Sequence, residues 1–302
     1  MFVDVDTKKH NDLLSVKETG NIITIVSTST FSKGGTIKKL SKDYYVNTQT
    51  GELKTFNHKD RRIDDIKSIK LSMAKLRDII NANITEPQNC LWVTLTYKEN
   101  MTDTVQLYKD FDKFNKKIKY HYEHKGYIVC VEPQGRGAWH MHAIFLFDSK
   151  PYIPNNELAN LWKHGFTQTK SLKNVDNVGA YLSAYLSDIE TENLNAEDNT
   201  ITKKILKGGR LSLYPKGMHF YRTSKGLKKP TKYRLSNYSF YERFLKTEKL
   251  KPYQITYTKT KTYKSETFSN TIKWTVYNTK KEPTTEELLY TYGATQINND
   301  IF

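Results

Sequence analysis

Cysteine is scarce in this sequence, which contains only Cys90 and Cys130 among its 302 residues. Neither belongs to a Cys-x-x-Cys motif or to a Cys/His cluster. The pattern therefore excludes a disulfide framework and a cysteine-rich zinc site. We interpret both cysteines as reduced residues in the strands of a cytoplasmic protein.

Long apolar runs and a phosphate-binding loop are also missing. No apolar stretch reaches the length that spans a bilayer, and residues 1–11 are polar and charged rather than signal-like, so we expect a soluble, intracellular protein without a membrane partner. No Gly-x-x-x-x-Gly-Lys-Ser/Thr motif occurs. The sequence therefore does not predict its own nucleotide-driven motor.

Acidic residues are outnumbered by basic ones, 32 to 48, which gives a net charge of +16 and a pI near 9.5. Such a charge is expected of a protein that neutralises phosphates, although a lysine-rich protein from an AT-rich genome has the same composition. Cations alternate with aromatic residues, as in the segment 219–222 (His-Phe-Tyr-Arg). This interleaving favours single-stranded DNA, whose bases can stack on rings while cations hold the backbone.

Two histidines, His140 and His142, lie in the apolar run 139–147, which reads as a β-strand. Strand side chains alternate between faces, so both imidazoles point the same way and could hold a divalent cation. Trp139, Met141 and Ala143 would form the opposite, buried face. Taken alone, the pair also fits two histidines on a half-exposed strand without a metal.

Two tyrosines, Tyr181 and Tyr185, lie in segment 178–188, which has helical periodicity. Residues four apart share a helix face, so the two hydroxyls are predicted to lie one turn apart. A tyrosine beside a metal-polarised phosphate can attack the phosphorus and form an ester. An ordinary amphipathic helix whose tyrosines pack on a sheet has the same pattern.

In combination, these motifs resemble the HUH endonucleases that initiate rolling-circle replication. The histidine strand follows Glu132-Pro133-Gln134-Gly135-Arg136 and precedes the tyrosine helix, and segment 91–97 is similar to the family's first motif, an apolar strand that ends in Leu-Thr-Tyr. The basic segment 217–230 resembles one that commonly follows the tyrosine helix. Among these enzymes, the chain is most similar to the phage and plasmid replication-associated proteins of the filamentous-phage gene II type.

The resemblance implies a divalent metal, Mg²⁺ or Mn²⁺, on His140, His142 and a third ligand. Glu132 is the first choice, provided that the strand register pairs it with a histidine, and Gln134 is the second. The competing role for Glu132 is a salt bridge to Arg136 across the turn.

The resemblance also implies that Tyr181 and Tyr185 are the nucleophiles, acting through a 5′-phosphotyrosine. Contacts to DNA are expected from the first motif, the Gly-rich turn and the basic segment: Thr96, Tyr97, Lys98, Arg136, Arg222, Lys225, Lys228 and Lys229.

One position departs from the family pattern. A lysine usually follows one of the tyrosines by three residues, but Ala184 and Asp188 occupy those places here. Another cation substitutes, or the metal carries the charge, or the enzyme is divergent and slower. The substitutes that we consider are Lys98, Lys170 and Lys173.

The order of predicted elements from residue 91 to the tyrosine helix is β-α-β-β-α-β plus a helix. This order predicts an α+β fold, a ferredoxin/RRM-like split βαβ antiparallel sheet with helices on one face and the other face free for ligand. We expect an N-terminal extension at 1–40 with one loosely attached strand, a hairpin and helix at 41–85, the HUH endonuclease domain at 86–240, and a C-terminal accessory region at 241–302 that contains a hairpin.

Together these features predict a nicking and rejoining activity on single-stranded or stem-loop origin DNA, in the cytoplasm of a bacterial host and with the host helicase and DNA polymerase as partners. Two alternatives remain open. One is a transposase or relaxase with the same chemistry, and the other is a non-catalytic nucleic-acid-binding protein.

Overall fold

The computed structural model describes residues 13–30, 36–57, 66–134, 137–172, 177–180, 213–215, 217–265, 268–285 and 287. The chain divides into two compact units. The described residues of 60–230 form one unit, and those of 1–59 and 231–302 together form the other.

The 60–230 unit is built on a five-stranded antiparallel sheet. Its helices are α1 (Ile66–Asn83), α2 (Thr104–Tyr122) and α3 (Asn155–Trp162). Its strands are β6 (Cys90–Leu95), β7 (Gly126–Pro133), β8 (Trp139–Leu146), β9 (Thr167–Lys170) and β10 (Tyr221–Thr223), and a single 3₁₀ turn, Pro87–Asn89, precedes β6.

The strand order of this sheet is β10-β7-β8-β6-β9, with every neighbouring pair antiparallel. The four strands of the β6-α2-β7-β8-α3-β9 segment therefore lie in the order expected of a split βαβ unit. The predicted α+β fold with its antiparallel sheet is confirmed.

One face of the sheet packs against α2 and α3. Asp103 caps α2 by accepting hydrogen bonds from the amides of Val105 and Gln106, as a helix start at this point requires. The buried stripe of α2 includes Phe111 and Phe114, which contact Phe145 of β8. The two helices of the βαβ unit therefore share one face, as predicted.

The other face of the sheet is partly covered by α1. Leu76 and Ile80 of this helix are fully buried in a second cluster, which also contains Trp92, Ile128 and Ile144 of the sheet. The expectation that this whole face is free for ligand is therefore wrong. The amphipathic stripe of α1 needs an apolar surface to cover, and the strand residues on this side supply one.

The second unit contains a sheet made from both ends of the chain. Its strands are β1 (Leu13–Thr19), β2 (Ile22–Thr28), β11 (Thr231–Ser236), β12 (Ile255–Ser265) and β13 (Phe268–Asn278), in the order β11-β1-β2-β13-β12. A short helix at Asn237–Phe240, a π-helical turn at Tyr241–Leu245 and a 3₁₀ turn at Pro252–Gln254 connect β11 to β12.

The hairpin expected in segment 250–278 is confirmed as β12 and β13. The single loosely attached N-terminal strand was an incomplete prediction, because β1 and β2 form a hairpin within the five-stranded sheet.

A separate three-stranded meander contains β3 (Ile37–Lys39), β4 (Tyr44–Asn47) and β5 (Leu53–Thr55), and its β4–β5 pairing is the hairpin predicted around segment 47–51. None of the helices within the described ranges is long and apolar enough to cross a membrane.

Candidate metal centre

The side chains of Glu132, His140 and His142 converge on the sheet face that α1 partly covers. The turn between β7 and β8 sets a register in which Glu132 lies directly opposite His140 and Cys130 opposite His142. Opposed residues share a face, so the condition that the sequence placed on Glu132 is met. The side chains of Glu132, His140 and His142 are 12%, 11% and 5% exposed, respectively.

The distances between the three groups fit a shared cation. Oε2 of Glu132 lies 3.4 Å from Nε2 of His140 and 3.4 Å from Nε2 of His142, and the two Nε2 atoms are 3.1 Å apart. Ligands held at roughly 2.1 Å from one ion are about 3 Å apart at adjacent coordination positions, so the triangle is the right size. The three residues could therefore hold a metal ion.

The carboxylate of Glu132 is charged in this site. Burial raises its pKa, but hydrogen bonds and charge from His140 and His142 outweigh burial and lower the pKa to about 2. An ionised carboxylate beside two imidazoles is the donor set that a divalent cation requires.

His142 is oriented by a residue that the sequence did not single out. Thr94 of β6 lies opposite His142, and its Oγ1 is 3.1 Å from Nδ1 of the imidazole. A proton on Nδ1 that is donated to this hydroxyl leaves the Nε2 lone pair directed at Glu132 and His140. The alternation of β6 was the available signal, because Thr94 is the polar residue of this apolar strand.

The ring of Trp92 also borders His142, with 6.0 Å between their centroids in an edge-on arrangement. Nζ of Lys170 lies 5.3 Å from the centre of the Trp92 ring. Of the three substitute cations, Lys170 is thus placed on the sheet face of the histidines. Lys98 is exposed just beyond the end of β6, and Lys173 lies outside the described residues.

The beginning of the predicted tyrosine helix lies on this same face. Oδ1 of Asn177 accepts a hydrogen bond from the amide of Ala180, and Val178 is buried in the cluster formed with α1. The amide of Gly179 donates to Oδ1 of Asn81 in α1. Tyr181 and Tyr185 themselves lie outside the described residues.

Residues 90–190 match a family model, that of the replication-associated protein called ORF2 or gene II protein. This segment belongs to the replication-associated protein family. It covers about a third of the chain, from the first residue of β6 through the sequence positions of both tyrosines. The predicted resemblance to rolling-circle replication initiators is confirmed, and the family is one of replication proteins that act on DNA. No curated protein and no solved structure matches the chain.

Within the replication-associated segment, the predicted DNA contacts at the end of β6 separate into two kinds. Thr96 is half-buried and its hydroxyl donates to the carbonyl of Phe166, while Lys98 is exposed. Tyr97 is only 6% exposed, and its hydroxyl donates to Oδ2 of the buried Asp110. The ring of Tyr97 is therefore part of the core and is not available to stack on a base, which corrects its expected role.

The basic residues after the tyrosine helix are placed away from the metal centre. Arg222 of β10 pairs with Val129, and its guanidinium lies 3.5 Å from Asp112 of α2 and over the ring of Tyr108, on the helical face of the sheet. Its predicted place beside the site is therefore wrong. Arg136 lies outside the described residues.

Lys225, Lys228 and Lys229 are exposed. The backbone of Lys228 exchanges two hydrogen bonds with the side chain of Asn83 at the end of α1, and Ser224 bonds to Tyr127 near the start of β7. The distance from Tyr127 to Glu132 is roughly 17 Å along the strand.

Proposed function

We infer that this protein nicks and rejoins single-stranded origin DNA to initiate rolling-circle replication of a plasmid or phage. The observation that supports this most strongly is the convergence of Glu132, His140 and His142 within a replication-associated segment that also contains Tyr181 and Tyr185. A non-catalytic DNA-binding protein has no use for a buried carboxylate between two imidazoles.

A divalent cation on these three residues would polarise a non-bridging oxygen of the scissile phosphate. The hydroxyl of Tyr181 or Tyr185 attacks the phosphorus, its proton passes to solvent, and the bond to the 3′ oxygen breaks. The 3′ oxygen takes up a proton and becomes the primer end. The DNA 5′ phosphate remains esterified to the tyrosine, so its energy is conserved for rejoining by the second tyrosine or by the reverse reaction.

The surroundings of the site support cleavage of this kind. The imidazoles of His140 and His142 lie two residues apart on a central strand of the sheet, and Thr94 orients one of them. The described start of the tyrosine helix packs on the same face of the sheet, so the chain reaches residue 180 on the side where the metal would be held. Lys170 is the cation proposed to replace the missing lysine of the helix.

Metal binding is tested by titrating the purified protein with Mn²⁺ and, separately, with Mg²⁺ in a calorimeter. We expect one site, and we expect a His140→Ala/His142→Ala variant to lose it. His121 is exposed on α2, so His121→Ala is the matched control and should titrate like the wild type. Because imidazole ligands suit the softer of these two ions, Mn²⁺ should bind more tightly. Unchanged binding in the double variant would assign the metal elsewhere.

Cleavage is tested by incubating the protein with labelled single-stranded and stem-loop DNA in Mn²⁺ and separating denatured products. We expect a covalent protein–DNA adduct that forms in neither Glu132→Gln nor His140→Ala. Tyr181→Phe and Tyr185→Phe identify the nucleophile, and Tyr120→Phe, at a ring that is 83% exposed on α2, is the control. Failure to trap any adduct across a library of stem-loops would refute the nuclease proposal.

Because the sequence contains no phosphate-binding loop, we propose that a host helicase unwinds the duplex and that a host DNA polymerase extends the free 3′ end, both in the bacterial cytoplasm.

A further inference from the structure

The sheet of the unit formed by the chain ends has two unlike faces. One face is covered by Phe240, Phe244 and Leu250, which form a cluster with Val16 and Ile25 of the strands. The opposite face, here called the cationic face, has no buried cluster within the described residues. Its cations come from three of the five strands: Lys17, Lys232, Arg234, Lys259 and Lys261.

The strand register places these groups side by side. Arg234 pairs with Ser15, Ser15 with Val26, Val26 with Trp274, and Trp274 with Lys259. Opposed residues share a face, so this row crosses the whole sheet with a cation at each edge and an indole ring in between. The row spans about 19 Å at the usual strand spacing.

Aromatic rings are exposed on the hairpin part of this face. Tyr257 is 50% exposed and Tyr263 44% exposed, and Trp274 is partly exposed between them. Nζ of Lys261 lies 4.8 Å from the centre of the Tyr263 ring. Large rings on a solvent-facing sheet are costly for solubility unless a ligand covers them at some stage.

The charge on this face is of one sign. Reading the register across all five strands places no aspartate or glutamate on it. Within the described part of the chain, Lys232, Arg234, Lys259 and Lys261 have no ion-pair partner. Glu18 of β1 points to the other face, where its carboxylate is 3.2 Å from Lys249.

We propose that the cationic face binds single-stranded DNA, at a site distinct from the metal centre and not required by the proposed nuclease chemistry. The rings offer stacking platforms for unpaired bases and the flanking cations neutralise the phosphates. A duplex keeps its bases stacked on one another and could use only the cations. DNA is the polymer chosen because the same chain carries a replication-associated segment.

The test compares two double charge reversals in the same hairpin of the full-length protein. Lys259→Glu/Lys261→Glu changes the cationic face, whereas Lys264→Glu/Lys273→Glu changes two exposed lysines on the opposite face by the same total charge. The probe is a fluorescent oligodeoxythymidine, followed by anisotropy without divalent metal. We expect the first variant to weaken binding at least tenfold and the second less than threefold.

Salt dependence gives a second readout. Each phosphate contact in single-stranded DNA contributes about 0.7 to the slope of log K against log salt, so the loss of two should reduce that slope by about 1.4. Equal weakening in both variants would show that only the net charge matters and would overturn the proposal. Tighter binding of oligouridine than of oligodeoxythymidine would overturn the assignment to DNA.

Tryptophan fluorescence reports on stacking directly. Trp92, Trp139 and Trp162 are 4% exposed or less, so Trp274 is the tryptophan of this protein that a bound base can reach most readily. We expect oligodeoxythymidine to quench the emission and Trp274→Phe to remove most of the quenching. Persistence of the full quenching in Trp274→Phe contradicts the proposed site.

Two further variants guard against misfolding and against confusion with the metal centre. If the charge reversal unfolds the hairpin, Tyr257→Ala/Tyr263→Ala removes exposed rings only and should still weaken binding several-fold. His140→Ala/His142→Ala should bind the probe within twofold of the wild type. Loss of binding in that variant would place the DNA at the metal centre instead, whatever the outcome of the nicking assay.

Discussion

At the residue scale, the geometry of the candidate metal centre depends on a hydroxyl. Thr94 holds one nitrogen of His142, so that the other nitrogen faces Glu132 and His140. For His140, in contrast, Nδ1 is buried and lacks a hydrogen-bond partner within the described ranges. The orientation of the pair thus rests mainly on Thr94 and on the rigid strand backbone.

We expect Thr94→Val to lower the affinity for Mn²⁺ by about 10- to 100-fold, the usual effect of removing a hydrogen-bond partner of a metal-bound histidine. Valine has nearly the same shape as threonine, so the fold should persist. Thr94→Ser keeps the hydroxyl and should bind nearly as the wild type does. Equal affinities of the valine and wild-type proteins, measured by calorimetry, would remove Thr94 from the site.

His124, between α2 and β7, is a second histidine with a defined electrostatic environment. It is 3% exposed, and neither ring nitrogen has a hydrogen-bond partner among the described residues. Burial lowers the pKa of His124 below its ordinary value of 6.5. The folded state therefore binds fewer protons there than the unfolded state does.

The sign follows from proton linkage: the contribution of His124 to stability is present above pH 6.5 and is lost as the pH falls below that value. We expect His124→Leu to show a shallower decline in the free energy of unfolding between about pH 7.5 and pH 5.5, measured in urea. The exposed His121→Leu should follow the wild-type curve. A steeper decline in His124→Leu would show that the folded state charges this imidazole.

At the element scale, the start of the tyrosine helix is fixed to α1 at a glycine. A Cβ added at Gly179 would lie 2.4 Å from Oδ1 of Asn81 and 2.6 Å from the carbonyl oxygen of Arg77. The second of these atoms belongs to the helix backbone, which cannot move aside easily. Close approach of the two helices is the reason for glycine here.

We expect Gly179→Ala to lower the free energy of unfolding by about 1–3 kcal/mol, as overpacking does. If the tyrosines deliver the nucleophile, adduct formation should fall more steeply than metal binding. Ala180→Ser, at the next and exposed position, is the control. An unaltered stability in urea would show that the contact between the helices is easily relieved.

At the scale of the whole molecule, the metal centre and the cationic face belong to different units of the chain. The unit of 60–230 includes α1, whose Leu76 and Ile80 are buried against the histidine-bearing sheet. A fragment that starts at residue 86 lacks this cover and exposes a large apolar surface to water.

We therefore expect a fragment of residues 60–230 to unfold cooperatively and to bind Mn²⁺ within a few-fold of the full-length affinity. The fragment 86–240, whose boundaries follow the sequence pattern, should be aggregation-prone or molten. Circular dichroism, thermal unfolding and calorimetry distinguish the two fragments. Equal behaviour of both would show that α1 contributes little to the fold of this unit.

Some features of the protein follow from local sequence because their physical causes are local. The alternation of β8 directs His140 and His142 to one face, and the Asp103 cap and the Leu107, Phe111 and Phe114 stripe define α2. The β7–β8 turn is so short that Glu132 must lie near the histidines. A period of two or 3.6 residues determines these positions without reference to the rest of the chain.

Other features were decided only by the tertiary structure, because they depend on which distant segment covers each face. Whether α1 lies on the histidine side, whether Tyr97 points into the core and whether Arg222 faces α2 are set by strand register and by competition for apolar surface. Likewise, β1 pairs with β11 and β2 with β13, which are far apart in the chain. Local periodicity specifies the faces of an element but not its neighbours, so the sequence determined the histidine pair while the fold decided what surrounds it.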